Sequence, residues 1–144
     1  MRVGAVRARI TTTAGLIFLA LGGCTPTLDN LRGRPDREEA VVPTSAALAA
    51  TCVADSAART GGEILETNED PELTSSFIIV RYKKSEGAGP EFNAWYQFSP
   101  RDGKNARVVY TFDAATPYRA AARDVVLGPI KACAGGPVPA GSPN

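Results

Sequence analysis

Phe92-Asn93-Ala94-Trp95-Tyr96-Gln97-Phe98 is the stretch on which the fold of this chain turns. Aromatic side chains suit a pleated, half-buried surface. Side chains on a strand alternate between faces, so Phe92, Ala94, Tyr96 and Phe98 share one side and Asn93, Trp95 and Gln97 the other. Turn chemistry bounds it, with Glu86-Gly87-Ala88-Gly89-Pro90 before and Pro100-Arg101-Asp102-Gly103 after. Beyond these turns lie two more aromatic and β-branched runs, Phe77 to Lys84 and Arg107 to Phe112. Connections this short make the three strands antiparallel neighbours. The alternation then places Ile78, Val80, Tyr82, Val108, Tyr110 and Phe112 on the inner side with Tyr96. The outer side carries Phe77, Ile79, Arg81, Lys83, Trp95, Arg107, Val109 and Thr111.

Helices flank the strands. Thr44 or Ser45 caps an alanine-rich helix, Ala46 to Arg59, that stops at Gly61-Gly62. Leu48 and Cys52, four apart, are expected to point inward with Ala49 and Val53. A short edge strand, Glu63 to Thr67, and an acidic turn, Asn68 to Glu72, follow. After the strands, Thr116-Pro117 starts a second helix, Tyr118 to Leu127, which Gly128-Pro129 is expected to interrupt before a last turn carrying Cys133. Ala121, Ala122 and Val125 form its inward stripe. The expected fold is α+β, a small antiparallel sheet of three to four strands with the N- and C-terminal helices on one face.

Outside this domain the composition changes. Arg2, Arg7 and Arg9 precede an apolar run from Ala14 to Leu21, and small residues lead to a cysteine in Leu21-Gly22-Gly23-Cys24. Charge, then apolar residues, then small side chains is the order of a secretory signal. The strongly apolar part is only about eight residues, against roughly twenty for a spanning helix. The last four residues resemble the lipobox of bacterial lipoproteins. That resemblance implies cleavage after Gly23, diacylglycerol on the Cys24 sulfur and, with Thr25 carrying no retention signal, the periplasmic face of the outer membrane. An uncleaved anchor or an ordinary secreted product is the alternative. Residues 1–23 are thus read as signal peptide, 24–43, rich in Pro and charge, as a lipidated tether, 44–133 as the domain, and 134–144 as a disordered tail.

With Cys24 assigned to lipid, Cys52 and Cys133 remain, and in an exported chain they are expected to form a disulfide stapling the two helices. Removing residues 1–23 deletes three arginines and no acid, so 16 basic and 15 acidic side chains become 13 and 15. A mature charge of −2 gives no general attraction to nucleic acid. The chain has no histidine, which removes the commonest general base and the commonest metal ligand.

Candidate chemistry is sparse. Glu66, Glu69, Asp70 and Glu72 do not follow the spacing of a calcium loop, and Pro71 interrupts them. Asp55 and Asp113 would act as an acid/base pair only if folding joined them. Ser45, Ser56 and Ser75 have no histidine partner, and no phosphate loop or other cofactor motif is present. The outer face offers the sharpest candidate: Trp95, Ile79, Arg81, Arg107 and Val109 have the composition of an interaction surface for an envelope protein partner. The alternatives are ordinary cross-strand pairs, or a cover formed by the 63–73 segment or the linker. Two readings of function follow. One is a lipid-anchored structural or protein-interaction module, attached to the membrane through its lipid and not an enzyme. The other is a small-ligand-binding or hydrolytic lipoprotein with a pocket between helices and sheet.

Overall fold

The computed structural model describes residues 31, 33–70 and 74–135. The signal, Cys24 and residues 136–144 of the tail lie outside these. The elements are β1 (Glu38–Val42), α1 (Ala46–Arg59), β2 (Gly62–Asp70), β3 (Ser75–Tyr82), β4 (Phe92–Pro100), β5 (Ala106–Phe112), a 3-10 turn (Thr116–Tyr118) and α2 (Arg119–Gly135). The strands form one antiparallel sheet in the order β1-β5-β4-β3-β2. The aromatic run quoted above therefore lies in its central strand. Among the described residues, no helix is long and apolar enough to cross a membrane.

The α+β class holds, with five strands in place of three to four. The additional strand is β1, which occupies residues expected to belong to the tether. It pairs with β5 from Glu38 opposite Tyr110 to Val42 opposite Ala106. The expected edge strand at Glu63 is longer, reaching Asp70, and absorbs the start of the expected acidic turn. A bulge at Leu65 gives β2 one residue more than its partner. As a result Ile64 packs toward the helices while Leu65 joins the opposite face.

Both helices lie on the face that carries Ile78, Val80, Tyr82, Phe92, Ala94, Tyr96, Phe98, Val108, Tyr110 and Phe112, and together they form the main core. Six of these are aromatic, so the space left for helices takes small side chains. In α1 the buried stripe is Ala49, Val53 and Ala57, and Leu48, expected inward, is 62% exposed. The Ser45 hydroxyl caps the helix by accepting from the Leu48 N–H. Gly61, at φ +89°, ends it in the left-handed region. At Gly62 a Cβ would meet Val80 Cγ1 at 2.7 Å and the Ala57 carbonyl at 2.9 Å, so the return into β2 needs glycine.

Pro129 does not interrupt α2, which continues to Gly135 and so takes in the first two residues of the expected tail. Its buried stripe, Ala122, Val126, Pro129 and Ile130, reads straight through the proline. That burial offsets the backbone hydrogen bond a proline cannot donate. The turn beyond it is fixed by the Cys52–Cys133 disulfide, with Cα atoms 6.0 Å apart. The expected staple is present and ties α1 to α2.

Candidate functional site

The outer face of the sheet is covered. Trp95 is 0% exposed and clusters with Phe77, Ile79 and Leu31, the last at 1%. Leu65 and Val109 flank this second cluster. The expectation of an exposed tryptophan surface is therefore corrected, and the alternative of a cover by the linker holds: Leu31 and residues 33–37 of the supposed tether lie over it as a strap. Arg37 places its guanidinium 5.5 Å from the Trp95 ring centroid. The indole N–H has no hydrogen-bond partner among the described residues. The expected surface arginines are also engaged, Arg107 with Glu39 at 2.8 Å and Arg81 with Glu91 at 3.5 Å and Glu63 at 3.9 Å.

Acidic residues at the strap's end fasten it to α2. Asp36 pairs with Arg34 and Arg119, and Arg119 stacks over Phe112, 4.6 Å from its centroid. Glu38, at the start of β1, accepts from Arg123 Nε at 2.8 Å and from the Tyr110 hydroxyl at 2.6 Å. Donation by Arg123 holds the Glu38 carboxyl below the usual carboxylate range, against a smaller effect of burial. Burial, reinforced by Glu38, pushes the Tyr110 hydroxyl up.

The interior between helices and sheet is filled by aromatic rings, and its polar atoms bond to one another. Tyr82 and Tyr96 hydroxyls lie 2.7 Å apart, and the Tyr96 hydroxyl donates to the Val126 carbonyl at 3.0 Å. That carbonyl stands three residues before Pro129. Burial raises Tyr82 to about 12 and Tyr96 well above its ordinary value, so both are neutral donors at ordinary pH.

An open concavity lies elsewhere among the described residues. A groove of about 1040 Å³ runs between the solvent-side flank of α1 and the corner where β2 meets β3. Ala46, Ala47, Ala50 and Ala54 form one wall; Thr67, Asn68, Glu69, Ser75 and Ser76 line the other, with Phe77 and Ile78. Asp55 sits on its rim, whereas Asp113 accepts from the Asn93 backbone N–H at 2.6 Å and from its amide at 3.2 Å. Glu69 also lines the groove, and Glu72 lies outside the described residues. Among the described residues no group of three His, Cys, Asp or Glu is placed to hold a metal. Reading the chain as a sequence did not single out this groove. Its one signal, small residues at 46, 47, 50 and 54, is also what a buried helix face looks like.

No family model matches the chain, and no curated protein does. Among solved structures it is similar to the di-domain ARO/CYC StfQ of the steffimycin biosynthetic pathway, at 15% identity and a TM-score of 0.43 over 68% of this chain. It spans 43% of that protein, less than half its length. It is also similar to Ara h 8.0201, at 14% identity and a TM-score of 0.38 over 67% of this chain and 92% of that one. A Thermobifida fusca protein matches at 17% identity and 0.33, over 68% and 85%. Likeness at this level assigns no activity, ligand or partner to the chain.

Proposed function

We propose that this protein is a lipid-anchored lipoprotein of the bacterial cell envelope, held at the periplasmic face of the outer membrane, and that its domain is a small non-catalytic interaction module. The observation that carries the reading is the bridge between Cys52 and Cys133. It suits an exported chain, and it leaves Cys24, at the end of Leu21-Gly22-Gly23, as the one cysteine outside the bridge. The groove between α1 and the β2–β3 corner is the candidate docking site, because the outer face is strapped and the interior is filled. Its methyl-lined wall and its hydroxyl and amide groups suit a peptide segment that brings both apolar side chains and backbone donors.

A second reading, a small-ligand-binding or hydrolytic lipoprotein, is favoured by the same groove, since it too lies between a helix and the sheet. Intact-mass spectrometry of protein from its own membranes tests the anchor. The expected mass lacks residues 1–23, carries a lipid and shows two thiols only after reduction; an unmodified Cys24 rejects it. Photo-crosslinking from Thr51 in the groove, against Lys131 on α2 as control, tests the site. A discrete envelope protein captured from Thr51 and lost on Ala47→Trp supports the interaction module. Saturable thermal stabilisation by a small molecule, also lost on Ala47→Trp, would move the assignment to the second reading.

A further inference from the structure

The strap changes how far the domain can stand from its anchor. If the whole segment up to Thr44 were free, the twenty steps from Cys24 would allow a contour of roughly 70 Å. Leu31, however, is buried against Phe77, Ile79 and Trp95. Only residues 25–30 separate it from Cys24, and seven steps cannot span more than about 25 Å however they are arranged. Asp36 on Arg119 and Glu38 on Arg123 and Tyr110 keep the rest of the strap from being released. The leash therefore leaves the domain at one place, the outer face of the sheet.

We propose that the lipid bilayer surface is the neighbour of that face. Resting on the lipoprotein reading, the protein sits with the strapped side of the sheet toward the membrane, and the helix layer with its Cys52–Cys133 bridge turned to the aqueous side. A short leash sets this position, not charge. Of the arginines on or beside that face, Arg34, Arg81 and Arg107 pair with Asp36, Glu63, Glu91 and Glu39, Arg37 lies over the Trp95 ring, and the mature chain is net acidic. The bilayer is thus a surface against which the domain is held, and the groove beside α1 is left open to soluble or membrane-bound partners.

The test uses the lipidated full chain in phosphatidylcholine vesicles carrying a dansyl headgroup acceptor, with energy transfer from Trp95, the single tryptophan, as the readout. Strong transfer is expected. An insert of about twelve Gly/Ser residues after Pro26, which adds roughly 20 Å of r.m.s. reach, should lower it at least about two-fold without touching the domain. Leu31→Asp, which lengthens the leash only as far as the Asp36 clasp, should lower it in the same direction and by less than the insert. Moving the donor to α2 with Trp95→Phe and Ala132→Trp should give weaker transfer than the native protein. About 0.5 M salt, where the Debye length is a few ångströms, should leave transfer unchanged. Lipidated protein whose transfer ignores the insert, collapses in salt, or is stronger from α2 overturns the inference while leaving the anchor standing. Intact mass showing no lipid on Cys24 overturns both.

Discussion

The paired hydroxyls beneath α2 have a direction, and it makes two superficially similar substitutions unequal. A carbonyl only accepts, so Tyr96 commits its proton to Val126 O, and Tyr82 must be the donor to the Tyr96 oxygen. Both rings are buried, Tyr82 at 3% and Tyr96 at 0% exposure. Tyr96→Phe strands the Tyr82 O–H, which loses its acceptor, and takes from the Val126 carbonyl, which lies inside α2, the side-chain bond it accepts there. At about 1–3 kcal/mol for the stranded hydroxyl and about 1 kcal/mol for the bond lost from the carbonyl, the expected cost is about 2–4 kcal/mol. Tyr82→Phe removes only the donor; Tyr96 keeps its bond to the carbonyl, and the cost should be about 1 kcal/mol. In the double variant the Tyr82 orphan no longer exists, so it should be more stable than Tyr96→Phe alone by about 1 kcal/mol.

Urea unfolding of the oxidised protein, followed by Trp95 emission, measures all three on one scale. For a domain near 100 residues a kcal/mol moves Tm by about 4–8 °C, so Tyr96→Phe should lower it by roughly 10 °C or more. If Tyr82→Phe costs as much as Tyr96→Phe, or the double variant loses the sum of the two, the assigned direction is wrong.

Reduction of Cys52–Cys133, which are 81 residues apart, should cost up to about 4–5 kcal/mol, read as the difference in urea midpoint with and without reductant. Alkali should unfold the protein through its tyrosines. Tyr82 is held neutral, with its ionisation raised from 10.0 to about 12, so its contribution of about 3 kcal/mol is complete below pH 10 and lost as pH rises toward 12. Tyr96 acts in the same direction. Midpoints followed across that range should fall in step with absorbance at 295 nm, and Tyr82→Phe should blunt the loss. Glu38 works at the other end of the scale: its depressed carboxyl stabilises above the ordinary glutamate range, and that contribution is lost as pH falls through the folded value. Glu38→Gln should therefore weaken the fold by about 1 kcal/mol at neutral pH and by nothing measurable near pH 2, and an equal effect at both would reject the Arg123 pairing.

Three strands and their faces were legible because each carries its own signal, an alternation of large side chains between turn residues. Tyr96, Phe98, Tyr110 and Phe112 all stand on the face that the alternation gives them. Helix faces were less legible. Leu48 is larger than any residue on the stripe that is buried, and spacing alone favours it. The opposing surface decides, and six aromatic rings leave room for alanine and valine rather than leucine. Pro129 misled for the same kind of reason: local backbone chemistry argues for a break, while Val126, Pro129 and Ile130 on one stripe, with Cys133 bridged beyond, argue for continuation from contacts distant in sequence. The groove's one signal, the small residues at 46, 47, 50 and 54, does not tell it from a buried helix face, because the groove exists only where α1 and the β2–β3 corner diverge.

The segment before α1 shows how an edge strand hides as a linker, and it can be tested directly. Arg34, Asp36, Arg37, Glu38 and Glu39 with Gly33 and Pro35 are the composition of a solvated tether. Charged side chains are also how edge strands avoid pairing with other chains. What separates the two is whether each charge meets a partner: Asp36 and Glu38 find Arg119 and Arg123 on α2, and Glu39 finds Arg107 on β5. A chain starting at Thr44, the boundary that composition alone suggests, would lack the strap and β1 together. It would uncover Trp95, Phe77 and Ile79 and bare the β5 edge over the five pairs that β1 now satisfies. That chain should self-associate and show red-shifted Trp95 emission, while one starting at Leu31 should stay monomeric with buried emission, by light scattering and fluorescence at matched concentration. Glu38→Lys with Arg123→Glu, which reverses the clasp without removing it, should behave like the longer chain. If the Thr44 chain is as stable and as monomeric as the Leu31 chain, the strap contributes nothing to the fold, and the short leash drawn from it goes too.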